Sequence, residues 1–170
     1  MAKPKYPPIP IDEALQTDIR DDVIAINRSA AVVKGGRRFS FSALTVVGNS
    51  DGLVGLGYGK GREVPNAVEK SVKDARKRLM RVLRQGSSIP HQVEASFCSS
   101  RVRLIPAAPG TGVIAGKAVR KVCEFAGIHD ILTKVYGSTN PLNVVKATMA
   151  ALAKLRDKSV VEELREVNVG

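Results

Sequence analysis

The sequence contains no tryptophan, four phenylalanines and three tyrosines, so any core must be built mainly from valine, leucine, isoleucine and alanine. Cysteine is equally scarce. Cys98 and Cys123 lie far apart outside any Cys-x-x-Cys spacing, and His91 and His129 add no ligand pair at zinc-site separation. A disulfide framework and a zinc module are therefore excluded, and both thiols are expected to be small buried apolar groups. The first residues hold no apolar run of signal-peptide length, and no stretch approaches the roughly 20 apolar residues of a membrane span. A soluble intracellular chain with no membrane contact is the expectation, and in such a chain the Asn27-Arg28-Ser29 sequon is a chance match. Catalytic sets are missing too. Asp12-Glu13, Asp21-Asp22 and Glu162-Glu163 are sequence neighbours in acidic segments, not carboxylates converging from separate elements, and neither histidine has a nucleophile partner. No enzyme activity and no cofactor are expected.

Positive charge is what the sequence has in excess. Its 170 residues hold 27 Lys and Arg against 16 Asp and Glu, a formal charge of +11. Such a protein tolerates its self-repulsion best beside a polyanion, and nucleic acid leads. The excess is local: residues 27–85 hold 13 basic and 4 acidic residues, +9 of the total, leaving +2 for everything else.

Met1 to Thr17 forms a tail, Pro-rich over its first ten residues, and Asp12 to Asp22 offers at best a short helical turn. Val23 to Val33 reads as a strand ended by the exposed turn Lys34-Gly35-Gly36-Arg37-Arg38. Phe39 to Val47 is a second strand, with Phe39, Phe41 and Ala43 on one face, and Leu53 to Gly59 a third. Pro65 then opens a basic helix of about five turns, with apolar positions recurring from Val64 to Leu83. Gln85 to Pro90 is the one convincing internal linker, dividing an 18–85 domain from a 91–158 domain, with a tail over 159–170. In the second domain Val93 to Cys98 and Arg101 to Ile105 pair about a Ser99-Ser100 turn. A helix beginning at Val113 or Gly116 ends at Gly127, and a strand follows over Ile128 to Tyr136. Asn140 caps a last helix that Pro141 opens. The fold class is α+β: a three-stranded antiparallel sheet with one packed helix, then a small two-layer α/β domain.

A sheet with cations at its helix start and on loops along one edge can meet the phosphates of A-form RNA by shape. The candidate RNA-binding residues are Arg28, Lys34, Gly35, Gly36, Arg37, Arg38, Lys60, Arg62, Lys70, Lys73 and Lys77. Two glycine-rich stretches fall short of nucleotide motifs. Gly55-Leu56-Gly57-Tyr58-Gly59-Lys60-Gly61 lacks dinucleotide spacing, so its glycines let the strand end approach RNA or the following helix. In Gly110 to Ala118 the first P-loop glycine is Thr111, and Ala118 cannot ligand magnesium. That loop, through Gly110, Thr111, Gly112, Gly116 and Lys117, is instead a candidate site for docking a partner.

These motifs resemble the bacterial small-subunit ribosomal protein S-five family. Gly36-Arg37, Phe39-Ser40-Phe41, Ala43 to Gly48, Gly57-Tyr58-Gly59-Lys60 and Arg62-Glu63-Val64-Pro65 stand in that family's order, as do Pro109 to Gly116 and Tyr136 to Pro141. The resemblance covers roughly Asp22 to Leu155. It departs at both ends and at Gly61, where alanine is more usual. It implies a first domain similar to double-stranded-RNA-binding domains and a structural role in the cytoplasmic ribosome. It further implies contacts with small-subunit ribosomal RNA, with ribosomal proteins S-four and S-eight, and with messenger RNA near its entry path, supporting decoding accuracy. The Lys34 to Arg38 turn would reach toward the neck, near the spectinomycin site, and would be mobile until RNA fixes it. Residues 22–85 alone are expected to bind duplex RNA weakly and with little sequence preference; the alternative to the ribosomal role is a free-standing double-stranded-RNA-binding regulator, which would lack the second-half motifs.

Overall fold

The computed structural model describes residues 18–157 and Glu162. The expected N-terminal tail, most of the acidic segment read as a helical turn, and nearly all of the C-terminal tail lie outside the described residues. The architecture is α+β, with two four-stranded sheets and, among the described residues, three helices.

In the first sheet β1 (Arg20–Val33), β2 (Gly36–Gly48), β3 (Leu53–Gly61) and β4 (Leu79–Arg81) are adjacent in that order and antiparallel throughout. Helix α1 (Val64–Arg76) starts at Pro65, whose missing N–H costs nothing in a first turn, and lies on one face of this sheet. The contact is backbone against backbone. A Cβ at Gly57 would sit 1.9 Å from the Ser71 carbonyl oxygen, one at Gly59 2.3 Å from that of Ala67, and one at Gly55 2.6 Å from that of Ala75. The helix answers with three small, fully buried residues, Ala67, Ser71 and Ala75. Four helix residues rise about 6 Å and two strand residues about 6.8 Å, so glycine and small residue stay in step for three contacts. Of the two readings of these glycines, close approach of the following helix is the one realised.

Thr45 is paired with Gly57 and shares that face; its Oγ1 is buried with no hydrogen-bond partner. A buried hydroxyl that exchanges water for nothing is a standing cost, so Thr45→Val is expected to raise unfolding stability by about 1 kcal/mol. Urea denaturation measures it, and a destabilised variant would mean that the hydroxyl has a partner.

The opposite face is not open to water. Ile24, Leu44, Val46 and Val54 pack there against Val119, Val122, Cys123 and Ala126 of the segment around α2 (Lys117–Phe125) in one continuous core. Burial pushes the Cys123 thiol up to about 12, so this sulfur behaves as an apolar atom. The second sheet, β5 (Val93–Phe97), β6 (Ser100–Pro106), β8 (Ile131–Gly137) and β7 (Val113–Ile114) in spatial order, is antiparallel except for the β7–β8 pair. Helix α3 (Pro141–Leu152) packs on β5, β6 and α2. Its start follows local chemistry: Asn140 Oδ1 accepts from the Leu142 amide at 3.3 Å, and Pro141 occupies the first turn.

The two halves are further tied at the β2–β3 turn. Ser50 and Gly52 donate their amides to the carbonyls of Phe125 and Ala126, both at 3.1 Å, and Lys121 forms an ion pair with Asp22. Arg84 reaches both Asp51 and the Gly127 carbonyl. The 85–90 segment is thus a connection inside one packed body.

Several boundaries differ from the sequence reading. Helix α1 stops at Arg76, and Leu79 to Arg81 becomes β4, because Leu79 pairs beside Gly55 on one face of the sheet while Val82, donating its amide to the Gly52 carbonyl at 2.7 Å, is buried just beyond the strand. The β5–β6 turn is Cys98-Ser99, with Cys98 at φ 50 and exposed, not a buried thiol. Strand β8 begins at Ile131 because Gly127 and Ile128 close helix α2, donating to Glu124 and Cys123 with Gly127 at φ 74.

Candidate nucleic-acid interface

Strands β1 and β2 outrun the sheet. The last β2–β3 pair is Phe41 with Gly61, beyond which Gly36 to Ser40 pair only with β1, a ribbon projecting by about 17 Å. Its end is a two-residue turn, Lys34-Gly35, closed by the Val33–Gly36 pair. The expected five-residue turn is therefore shorter, with Arg37 and Arg38 already in the strand. Gly36 has φ 137, a region that side chains with a Cβ avoid, while no atom would obstruct one.

Every residue from Ile26 to Ser40 is exposed. This stretch carries Arg28, Lys34, Arg37 and Arg38 and no acidic residue. Arg28 is opposite Phe41, which is opposite Gly61, so Arg28, Lys60 and Arg62 gather where the ribbon leaves the sheet and where α1 begins. Ribbon, strand end and helix start thus bring six of the predicted cations to one end of the first half.

The helix cations are placed differently. Lys73 is engaged with Glu69 at 2.6 Å, holding the Glu69 carboxyl below its ordinary range, and Arg78 pairs with Asp74 at 2.9 Å. Lys77 is the C-cap of α1, about 20 Å along the helix from Arg62. Only Lys70, of these three predicted sites, is an exposed helix cation in neither situation.

The Gly110 to Gly112 loop is exposed at Gly110 and Thr111 and anchored from beneath at the half-buried Gly112. Asp130 Oδ1 accepts the Gly112 amide at 2.8 Å, and the Thr111 hydroxyl donates to the Ala108 carbonyl at 2.7 Å. Hydrogen bonds from Ser87 and then from Gly112 and Gly110 hold the Asp130 carboxyl below its ordinary range. Gly110 and Gly112 have φ 90 and 77. The loop does not lead directly into a helix: β7 intervenes, and the helix N-cap is Gly116, at φ −65 and with open space around it. Lys117 is exposed beside it, so Gly116 and Lys117 stand apart from the loop.

Two features escaped the sequence reading. The Arg28 guanidinium lies 4.7 Å from the centre of the Phe39 ring. On the second sheet Tyr136 lies under Arg101 and Arg103, at 5.0 and 5.7 Å, and both arginines also pair with Glu94, whose carboxyl Arg103 holds low. Alternation along β1 and β2 could have found the first, since it puts Arg28 and Phe39 on one face. A cleft of about 210 Å³ between the ribbon base and α3 is lined by uncharged residues including Asn27, Tyr58 and Asn140, and holds none of these cations. No group of three or more potential metal ligands occurs among the described residues, and none of their helices is long and apolar enough to cross a membrane.

Models of the ribosomal protein S5 N-terminal and C-terminal domains match residues 19–83 and 95–165. The chain belongs to the ribosomal protein S5 family. Similar proteins named small ribosomal subunit protein uS5 come from Rhodopirellula baltica, 54% identical over 92% of this chain and 89% of the relative, and Shewanella oneidensis, 49% identical over 89% and 91%. That of Nocardia farcinica is 56% identical over 85% of this chain and 66% of the relative. The two S5 family matches flank residues 84–94, which include the Gln85–Ser88 bridge and the start of β5.

Proposed function

We propose that the chain is a structural constituent of the small ribosomal subunit, in the cytoplasm, that binds small-subunit ribosomal RNA through the ribbon and the adjoining start of α1. It is not an enzyme; its family is one of structural ribosomal proteins. The observation that carries the RNA reading is the acid-free ribbon, where four cations stand on a projecting element with no acidic residue among them. Phosphates relieve the mutual repulsion of such charges and order the turn that bears them. The three long antiparallel strands β1 to β3, with the short β4 at their edge and α1 on one face, support a likeness to double-stranded-RNA-binding domains, and shape-directed contact with A-form RNA follows from it. A free-standing duplex-binding regulator is disfavoured, because the family match extends through the second half and the core is shared between halves.

The partners are refined by the family resemblance: ribosomal proteins S-four and S-eight, and messenger RNA near its entry path, with an effect on decoding. The Gly110 to Gly112 loop, fixed by Asp130 yet exposed at Gly110 and Thr111, suits docking of a neighbouring protein. The 18–85 and 91–158 segments divide this work as an RNA-binding half and a chiefly docking half.

The full chain is expected to bind duplex RNA with little sequence preference. If about five phosphates are neutralised, log K falls with log salt at a slope of order −4, and the Arg37→Ala, Arg38→Ala double variant makes that slope shallower by about 2. Filter binding across a salt series, with co-sedimentation on small subunits, tests this. Salt-insensitive affinity, or absence from small subunits at low salt, would overturn the reading.

A further inference from the structure

The ribbon has two unlike faces. Strand pairing puts Ile26, Arg28, Ala30 and Val32 of β1 on the same face as Arg37, Phe39 and Phe41 of β2. The other face carries Asn27, Ser29, Ala31, Val33, Arg38 and Ser40, mostly small or polar. On the first face Val32 is 78% exposed, Ile26 46% and Phe39 45%, so large apolar groups stand in water among arginines. Whatever covers that face must offer flat apolar surface and negative charge together. Phe39 is the ring at its centre: Ala30, the smallest side chain of the set, is its cross-strand partner, and Arg28 stands over it.

Resting on the RNA reading above, we propose that Phe39, with Arg28 beside it, is a stacking platform for an unpaired nucleobase of the bound RNA. A fully paired duplex presents phosphates and groove edges while its base faces are stacked on one another, and so offers this ring nothing. A bulged or looped nucleotide offers an unstacked π-face and a flanking phosphate. The ring takes the first and the guanidinium reaches the second or stacks in turn. Ala30 leaves a gap on the ribbon surface beside the ring. Tyr136 is a poorer candidate, because both arginines over it are already engaged by Glu94.

The experiment uses the full chain and two RNAs of equal length, a perfect duplex and the same duplex with one bulged 2-aminopurine. The wild type is expected to bind the bulged RNA about tenfold more tightly, in the range of one base–aromatic stack, and to quench its fluorescence. Phe39→Leu keeps apolar bulk without a π-face and should abolish preference and quenching while leaving duplex affinity and melting unchanged. Phe39→Tyr should retain both. Equal affinity of the wild type for the two RNAs, or a preference surviving in Phe39→Leu, overturns the stacking site but leaves the RNA reading standing. Failure to bind either RNA overturns both.

Discussion

Replacing Gly57 with alanine is expected to destabilise the protein by at least about 3 kcal/mol, a single methyl acting as severely as a large core truncation. The new Cβ would lie 1.9 Å from the Ser71 carbonyl oxygen and 2.6 Å from the Ala75 nitrogen, both backbone atoms that no rotamer change can remove. Helix α1 must then lift from β3, and Ala67, Ser71 and Ala75 lose their close packing together. Gly35→Ala is the matched control, with no atom within 4 Å of the added carbon and no left-handed backbone, and should be near neutral. Urea denaturation of the two variants decides. A Gly57→Ala protein within about 1 kcal/mol of wild type would show that the helix is not seated on these glycines.

A fragment ending at Gln85 is expected to lack a cooperative fold, in contrast to the expectation that residues 22–85 act on duplex RNA alone. Removing the second half uncovers Ile24, Leu44, Val46 and Val54. At about 1.5–3 kcal/mol for each large apolar side chain, that loss rivals the roughly 5–15 kcal/mol total stability of a small domain. The fragment should show a broad melt by circular dichroism and bind a hydrophobic dye, while the whole chain melts in one transition. A sharp melt without dye binding in the fragment would mean that the first sheet needs no cover from α2.

What could be read in advance was what local chemistry decides. Asn140-Pro141 starts a helix wherever it occurs in such a context, and Gly127 ends one, because cap and stop are set within a few residues. The basic ribbon was legible for the same reason, being a hairpin that answers to no core. The end of α1 was not. Leu79, Val82 and Leu83 satisfy the helical repeat, yet the partner that draws Leu79 into a strand is Gly55, distant in sequence. The shared core did leave a trace. Ala43-Leu44-Thr45-Val46-Val47 is apolar or neutral on both alternating faces, the mark of a strand covered from both sides, whereas a sheet with one helix needs only one such face. For the proposed interface, charge pointed to a region, and the fold separates the ribbon cations in it from Lys73, already engaged by Glu69, and from Lys77 at the far end of α1.

The grip between the β2–β3 turn and the end of α2 has a mechanical consequence. Ser50 and Gly52 hold the carbonyls of Phe125 and Ala126, and a Cβ on Gly127 would meet the Ser50 oxygen at 2.2 Å, so neither half can swing about the other without breaking backbone bonds. The ribbon is therefore a lever whose fulcrum is welded to the opposite half. A load that arrives at the base of the ribbon passes into the second half through these hydrogen bonds, with no hinge between the two halves to absorb it.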